Sequence, residues 1–198
     1  MIIGPKIFGL VLAGGKSTRM GKDKGMIPYH GMPQREFLYH LLSRVCTETF
    51  VSIRPDQKAD FPEDMQTIVD DDVYKGPYNG MLSAHNKFPE VAWLVLACDL
   101  PLIDLASLQE LIAARDPNLL ATTFVQKEEP LPEPLCAVWE PHALENSKSY
   151  LESGKGTCPR KFLINNETKL VIPSNANVLL NANSEEEYKE AVVRLAIE

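Results

Sequence analysis

The sequence predicts an α/β fold, an open, mostly parallel twisted sheet in three layers with helices on both faces. Three observations carry this reading. Residues 7–13 and Ala92–Ala97 are near-continuous apolar runs, the pattern of strands covered on both sides. Strand-like runs alternate with runs of helical spacing along the chain. The 198 residues are 44% hydrophobic and 24% charged, the composition of an ordinary globular domain, and one domain is expected over 1–198.

Each element has its own signal. Residues 7–13 open the sheet. Phe37, Leu38, Leu41, Leu42 and Val45 share one helical face, predicting a helix over about 34–46. Residues 49–53 and 66–69 read as short strands, and a helix covers about 79–87. The run 92–97 is the second buried strand, stopped by Pro101. Asp104 is placed to cap a helix whose apolar stripe is Leu105, Leu108, Leu111 and Ile112. Residues 119–125 and 135–139 read as further strands, with a helix after Pro141. Ser184 and Glu187 have the spacing of a capping box, opening a last helix expected to bury Tyr188, Ala191, Val192 and Leu195.

Composition narrows the function. Twenty Lys and Arg against 27 Asp and Glu give a net charge of −7, which repels phosphate backbones and argues against nucleic-acid binding. No apolar run reaches the ~18–20 residues of a membrane span. The run 7–13 leads straight into Lys16, Arg19, Lys22 and Lys24, so it reads as a strand rather than a signal-peptide core, and the protein is expected to be cytoplasmic. Cys46, Cys98, Cys136 and Cys158 form no C-x-x-C pair, and the four histidines have no ligand spacing. Buried small hydrophobes are the expected role of these cysteines.

Chemistry concentrates after the first strand, where residues 12–24 read L-A-G-G-K-S-T-R-M-G-K-D-K. Gly14 and Gly15 let the backbone approach a ligand, and their N–H groups suit phosphate oxygens. Four cations within nine residues of an acidic protein suit a polyphosphate. A P-loop is excluded, because five places before Gly15 stands Leu10, not glycine. G-x-G-x-x-G is absent as well. Asp99 is the first charge after a buried strand, placed to hold Mg²⁺ beside phosphates. Asp70, Asp71 and Asp72 follow another strand and offer one contact to a base or ribose. Arg160 and Lys161 are candidates for a second phosphate.

Taken whole, L-A-G-G-x-S-x-R-M-G-x-D-K resembles the signature of the molybdenum cofactor guanylyltransferase family, with Leu12, Ala13, Gly14, Gly15, Ser17, Arg19, Met20, Gly21, Asp23 and Lys24 all in place. The likeness continues at Gly76-Pro77-Tyr78-Asn79-Gly80 against G-P-L-A-G, at Cys98-Asp99-Leu100-Pro101, and at Pro134-Leu135-Cys136-Ala137-Val138. Leu180-Asn181-Ala182-Asn183 is similar to the family's N-x-N-T-P, with Ser184-Glu185 in place of Thr-Pro.

The resemblance implies a Rossmann-like nucleotidyltransferase fold and transfer of GMP from GTP to the phosphate of molybdopterin carrying molybdenum, with pyrophosphate released. It implies Arg19, Lys24 and Asp99 as catalytic residues and Asp99 as the Mg²⁺ ligand. Nucleotide contacts are implied for Leu12, Ala13, Gly14, Gly15, Lys24, Asp71, Gly76, Gly80, Asp99, Asn181 and Asn183. Other cofactor-assembly proteins or apo-molybdoenzymes are the implied partners. Gly15 and Gly76-Pro77 favour guanine over the CTP-using relatives. A cytidylyl- or sugar-phosphate transferase, or a non-catalytic nucleotide-binding delivery protein, is the alternative.

Overall fold

The computed structural model describes residues 4–15, 23–154 and 156–196. Its strands are β1 (Ile7–Leu12), β2 (Glu48–Ile53), β3 (Thr67–Val69), β4 (Ala92–Ala97), β5 (Ala121–Phe124), β6 (Cys136–Trp139) and β7 (Thr168–Val171). Its α-helices are α1 (Gln34–Ser43), α2 (Pro77–Lys87), α3 (Leu105–Ala113), α4 (Pro141–Glu152), α5 (Pro159–Ile164) and α6 (Glu185–Leu195). The strands form one sheet in the order β3-β2-β1-β4-β6-β5-β7. β6 runs antiparallel to β4 and β5, and every other pairing is parallel.

The period of two splits each strand between two cores. Leu94, Leu96 and Cys98 pack on one face with Leu38, Leu42, Leu108 and Leu111 from α1 and α3. Trp93 and Val95 pack on the other with Met81, Leu82, Leu144 and Phe162 from α2, α4 and α5. Both faces are covered, which is why β4 is apolar at every position.

Sequence and structure differ in places with identifiable causes. β7 carries no strand signal because it is an edge strand, paired only with β5 and leaving Leu170 exposed. α5 is a six-residue helix, too short to display a period. The last helix buries Ala191 alone; Tyr188 and Leu195 are half-buried, while Val192 is 41% exposed, because the helix lies on the rim rather than in a sheet face. The predicted caps are in place: Asp104 Oδ1 accepts from Ser107 N at 2.7 Å, and Ser184 with Glu187 closes its box. Cys98 and Cys136 are buried as expected, but Cys46 is half-buried and Cys158 is exposed at the surface corner before α5. No helix among the described residues is long and apolar enough to cross a membrane.

A largely buried ion pair ties the end of α3 to the end of β6 and to the segment before β1. Arg115 donates from Nε and Nη2 to the two Glu140 oxygens at 2.7 Å each, and from Nη1 to the Pro5 carbonyl at 2.8 Å. Glu140 is almost fully buried. Truncating one partner of such a pair strands the other charge, so Glu140→Ala is expected to lower unfolding stability by about 3–5 kcal/mol. Urea denaturation followed by circular dichroism measures it.

Candidate active site

β1, β2, β3 and β4 are mutually parallel, and their carboxyl ends open on one cleft of about 540 Å³. An open α/β sheet binds its ligands there. β1 and β4 end together, Leu12 pairing with Ala97, so Gly14 and Asp99 leave the sheet abreast two residues later. Leu12, Ala13, Gly14, Gly15, Lys24, Gly76, Gly80 and Asp99 all line this cleft. Arg19 lies outside the described residues.

The glycine turn is held from behind. Arg54 Nη1 donates to the Gly14 carbonyl at 3.0 Å, and Gln57 Nε2 to the Ala13 carbonyl at 3.4 Å. Both carbonyls are thereby engaged by side chains. Arg54 also grips Asp56, with Nε 3.0 Å from Oδ1 and Nη2 3.3 Å from Oδ2. The sequence reading missed both residues; for Arg54 its place directly after β2 was the available signal, and Gln57, in the helical turn that follows, carries none. Asp23 accepts from Gly25 N at 2.9 Å and so caps the turn that presents Lys24.

Lys24 and Asp99 face each other at 3.8 Å, each about a quarter exposed. Burial raises the Asp99 carboxyl above its usual range, and the nearby Lys24 ammonium opposes the rise. Lys24 Nζ also donates to Asn183 Oδ1 at 2.5 Å. Ala182 N donates to the Asp99 carbonyl at 2.8 Å, which brings the segment before α6 against the site. Asn183 therefore joins the site through Lys24. Asn181 does not, since its amide turns back to the Leu179 carbonyl at 3.3 Å.

The acidic run is placed otherwise than expected. Asp70 and Asp72 line the cleft and Asp71 does not. Asp70 Oδ1 accepts from Ser52 Oγ at 2.7 Å, and burial raises its carboxyl. Asp71 sits over α2, where its backbone N–H donates to Ser83 Oγ at 2.8 Å and its Oδ2 accepts from Asn86 at 3.4 Å. The chain then turns through Asp72 at φ 54° and Gly76 at φ 65°, the second a left-handed position suited to glycine. This turn delivers α2 with its first residues, Pro77, Asn79 and Gly80, in the cleft wall.

Among the described residues no three His, Cys, Asp or Glu side chains converge on a common point. Of the carboxylates lining the cleft, Asp23 and Asp70 are engaged by Gly25 N and Ser52 Oγ, and Asp99 stands at the end of β4 beside space for ligand oxygens. That donor set suits a hard divalent ion that keeps its waters and takes phosphate oxygens.

The chain matches the family described as MobA-like NTP transferase domain over residues 9–169, and it belongs to that family. It is 39% identical over 183 residues to a molybdenum cofactor biosynthesis bifunctional protein of Synechocystis, covering 92% of this chain but only 52% of that protein, about half its length. It is 29% identical to a molybdenum cofactor guanylyltransferase of Pseudomonas fluorescens, with 89% of each chain covered. Among solved structures, molybdopterin-guanine dinucleotide biosynthesis protein A from Archaeoglobus fulgidus superposes with a TM-score of 0.78 at 19% identity, over 96% of this chain and 100% of that one. A nucleotidyl transferase from Methanothermobacter superposes at 0.76 and 17%, over 98% and 99%. At these identities the structural matches establish the fold: the mostly parallel sheet is that of the nucleotidyltransferases.

Among the glycines lining the cleft, Gly80 is the most closely packed. A Cβ there would lie 2.2 Å from Ser52 Oγ, 2.9 Å from Leu12 Cδ2 and 3.0 Å from Ser52 Cβ. Gly80→Ala is expected to cost about 1–3 kcal/mol of stability as overpacking, and to reduce the melting-temperature gain on adding nucleoside triphosphate. Combining it with Ser52→Gly, which removes the clashing side chain, should recover part of the stability in thermal melts.

Proposed function

We propose that the chain transfers GMP from GTP to the phosphate of molybdopterin carrying molybdenum, forming the guanine dinucleotide cofactor and releasing pyrophosphate. The observation that carries this reading is the convergence of Lys24, Asp99 and the Gly14–Gly15 turn on one cleft, with Lys24 and Asp99 at 3.8 Å. The relatives named as guanylyltransferases support the choice of substrate. The whole chain acts as one domain, in the cytoplasm, and its product goes to other cofactor-assembly proteins or apo-molybdoenzymes.

The acceptor phosphate is already anionic at neutral pH, so no general base is required, and the barrier is largely repulsion between anions. Catalysis then comes from positioning and charge stabilisation. The Gly14–Gly15 turn, with the Gly14 carbonyl engaged by Arg54 and the Ala13 carbonyl by Gln57, receives the triphosphate. Lys24, steadied by Asn183, neutralises charge developing toward the leaving pyrophosphate, together with Arg19. Asp99 would hold Mg²⁺, which supplies charge neutralisation on the phosphates when bound. Asp70 takes the nucleoside contact expected of Asp71. Its carboxylate accepts hydrogen bonds, and guanine presents two neighbouring N–H donors where cytosine presents one. A carboxylate oxygen left without a donor in this part-buried corner would be strongly disfavoured.

Pyrophosphate release and product mass, measured with molybdopterin and each nucleoside triphosphate in turn, test the reading. GTP alone should give the dinucleotide and the larger thermal shift; equal shifts with CTP would remove the guanine choice, and nucleotide binding without release would favour a delivery protein. Asp99→Ala and Lys24→Ala should each lower turnover at least about a hundredfold, the scale of losing one electrostatic contact in a transition state, with far-UV spectra unchanged. Wild-type rates in either variant would dismiss the site.

A further inference from the structure

On the far side of β4 the sheet continues into β6, and the turn that leads into β6 carries a second, largely buried carboxylate, Glu133. The antiparallel pairing runs from Trp93↔Trp139 to Leu96↔Cys136, and Ala97 N still donates to the Leu135 carbonyl at 3.1 Å. Leu135 lines the same cleft as Asp99, and Glu133 stands at the start of the turn, residues 133–136, that leads into β6. The Glu133 backbone is fixed at three points: its N–H donates to the Phe124 carbonyl at 3.0 Å, and its carbonyl accepts from Cys136 N at 3.1 Å and Thr123 Oγ1 at 2.7 Å. Its side chain is only 13% exposed. Burial raises its carboxyl, and the Asp99 charge adds to the rise, while Arg160 opposes it.

Arg160 is no loose surface cation. Its Nη2 donates to Glu133 Oε2 at 2.8 Å and its Nε to the Pro132 carbonyl at 3.0 Å. Glu133 Oε1 is taken by Leu135 N at 3.3 Å. The guanidinium is thus oriented from two sides, yet the side chain stays 44% exposed. An arginine has five N–H donors, and these two bonds leave the others for a ligand.

With the nucleotide over the ends of β1, β2 and β3, as the proposed function has it, an acceptor reaching a phosphoryl group beside Asp99 comes over β6 and β5. A phosphate monoester approaching two carboxylates needs a fixed cation, and the planar fork of arginine suits its oxygens. The geometry points to Arg160 as the group that binds the acceptor's phosphate, with Glu133 as the positioning residue that holds it beside the Leu135 wall of the cleft. This rests on the reading of the chain as a transferase to a phosphate-bearing pterin.

The test uses a fluorescent 6-substituted pterin phosphomonoester, titrated into the whole protein with Mg²⁺ and a non-reacting GTP analogue, beside steady-state rates with GTP and molybdopterin. Arg160→Ala should weaken pterin-phosphate binding and raise the KM for molybdopterin by about tenfold or more, the loss of one charge-assisted hydrogen bond, while the KM for GTP stays within about twofold. Arg160→Lys should recover part of the loss. Glu133→Gln should raise the same KM with no change in the Mg²⁺ concentration giving half-maximal rate. Unchanged pterin-phosphate binding in Arg160→Ala, or no binding by the wild type, overturns the assignment. A shifted Mg²⁺ midpoint in Glu133→Gln overturns it too, by making Glu133 a metal ligand. Pterin-phosphate binding that depends on Arg160 without any pyrophosphate release would leave this subsite standing and end the transferase reading.

Discussion

The site depends on two strands stopping together. β1 and β4 are neighbours, parallel and apolar along their lengths, and their last residues Leu12 and Ala97 are partners. Inside the sheet neither strand tolerates a charge, since both faces are packed. Polar chemistry is therefore confined to the first residues beyond the pair, and the shared register makes those residues Gly14 on one strand and Asp99 on the other. A phosphate-sized approach and a carboxylate are thus brought abreast by the buried sheet rather than by any direct bond between them.

The surroundings of Asp99 follow from its half-buried position. Such a carboxylate favours protonation unless a cation stands near. Lys24 answers that, and Asn183 fixes Lys24 in turn. The lysine arrives from the turn capped by Asp23, and the asparagine from the segment tied to the Asp99 carbonyl through Ala182. Three stretches of chain distant in sequence meet there, each held by backbone bonds that do not depend on a ligand. Such preorganised charges lose little reorganisation energy when a polyanion binds.

Much of this was legible in the sequence. An apolar run ended by two glycines, and another ended by Cys-Asp-Leu-Pro, announce strand ends with chemistry attached, and Gly14, Gly15, Lys24 and Asp99 stand where that reading puts them. What stayed hidden was orientation. In Asp70-Asp71-Asp72 the facing acid is chosen by the Ser52 hydroxyl from the next strand and by the left-handed turn at Asp72, neither visible in a run of identical residues. Arg54 and Gln57 belong to an unremarkable polar stretch, and only tertiary contact turns them onto the Ala13 and Gly14 carbonyls. The reversed direction of β6 leaves no mark on a four-residue apolar segment, although it decides that Leu135 joins the cleft beside Asp99.

The bond between Lys24 and Asn183 spans 159 positions of the chain. A polypeptide still emerging from the ribosome owns the glycine turn, the strand ends and the lysine long before it owns the asparagine that steadies them. The Lys24 ammonium is therefore without this partner until residue 183 has been made and has reached the folded body.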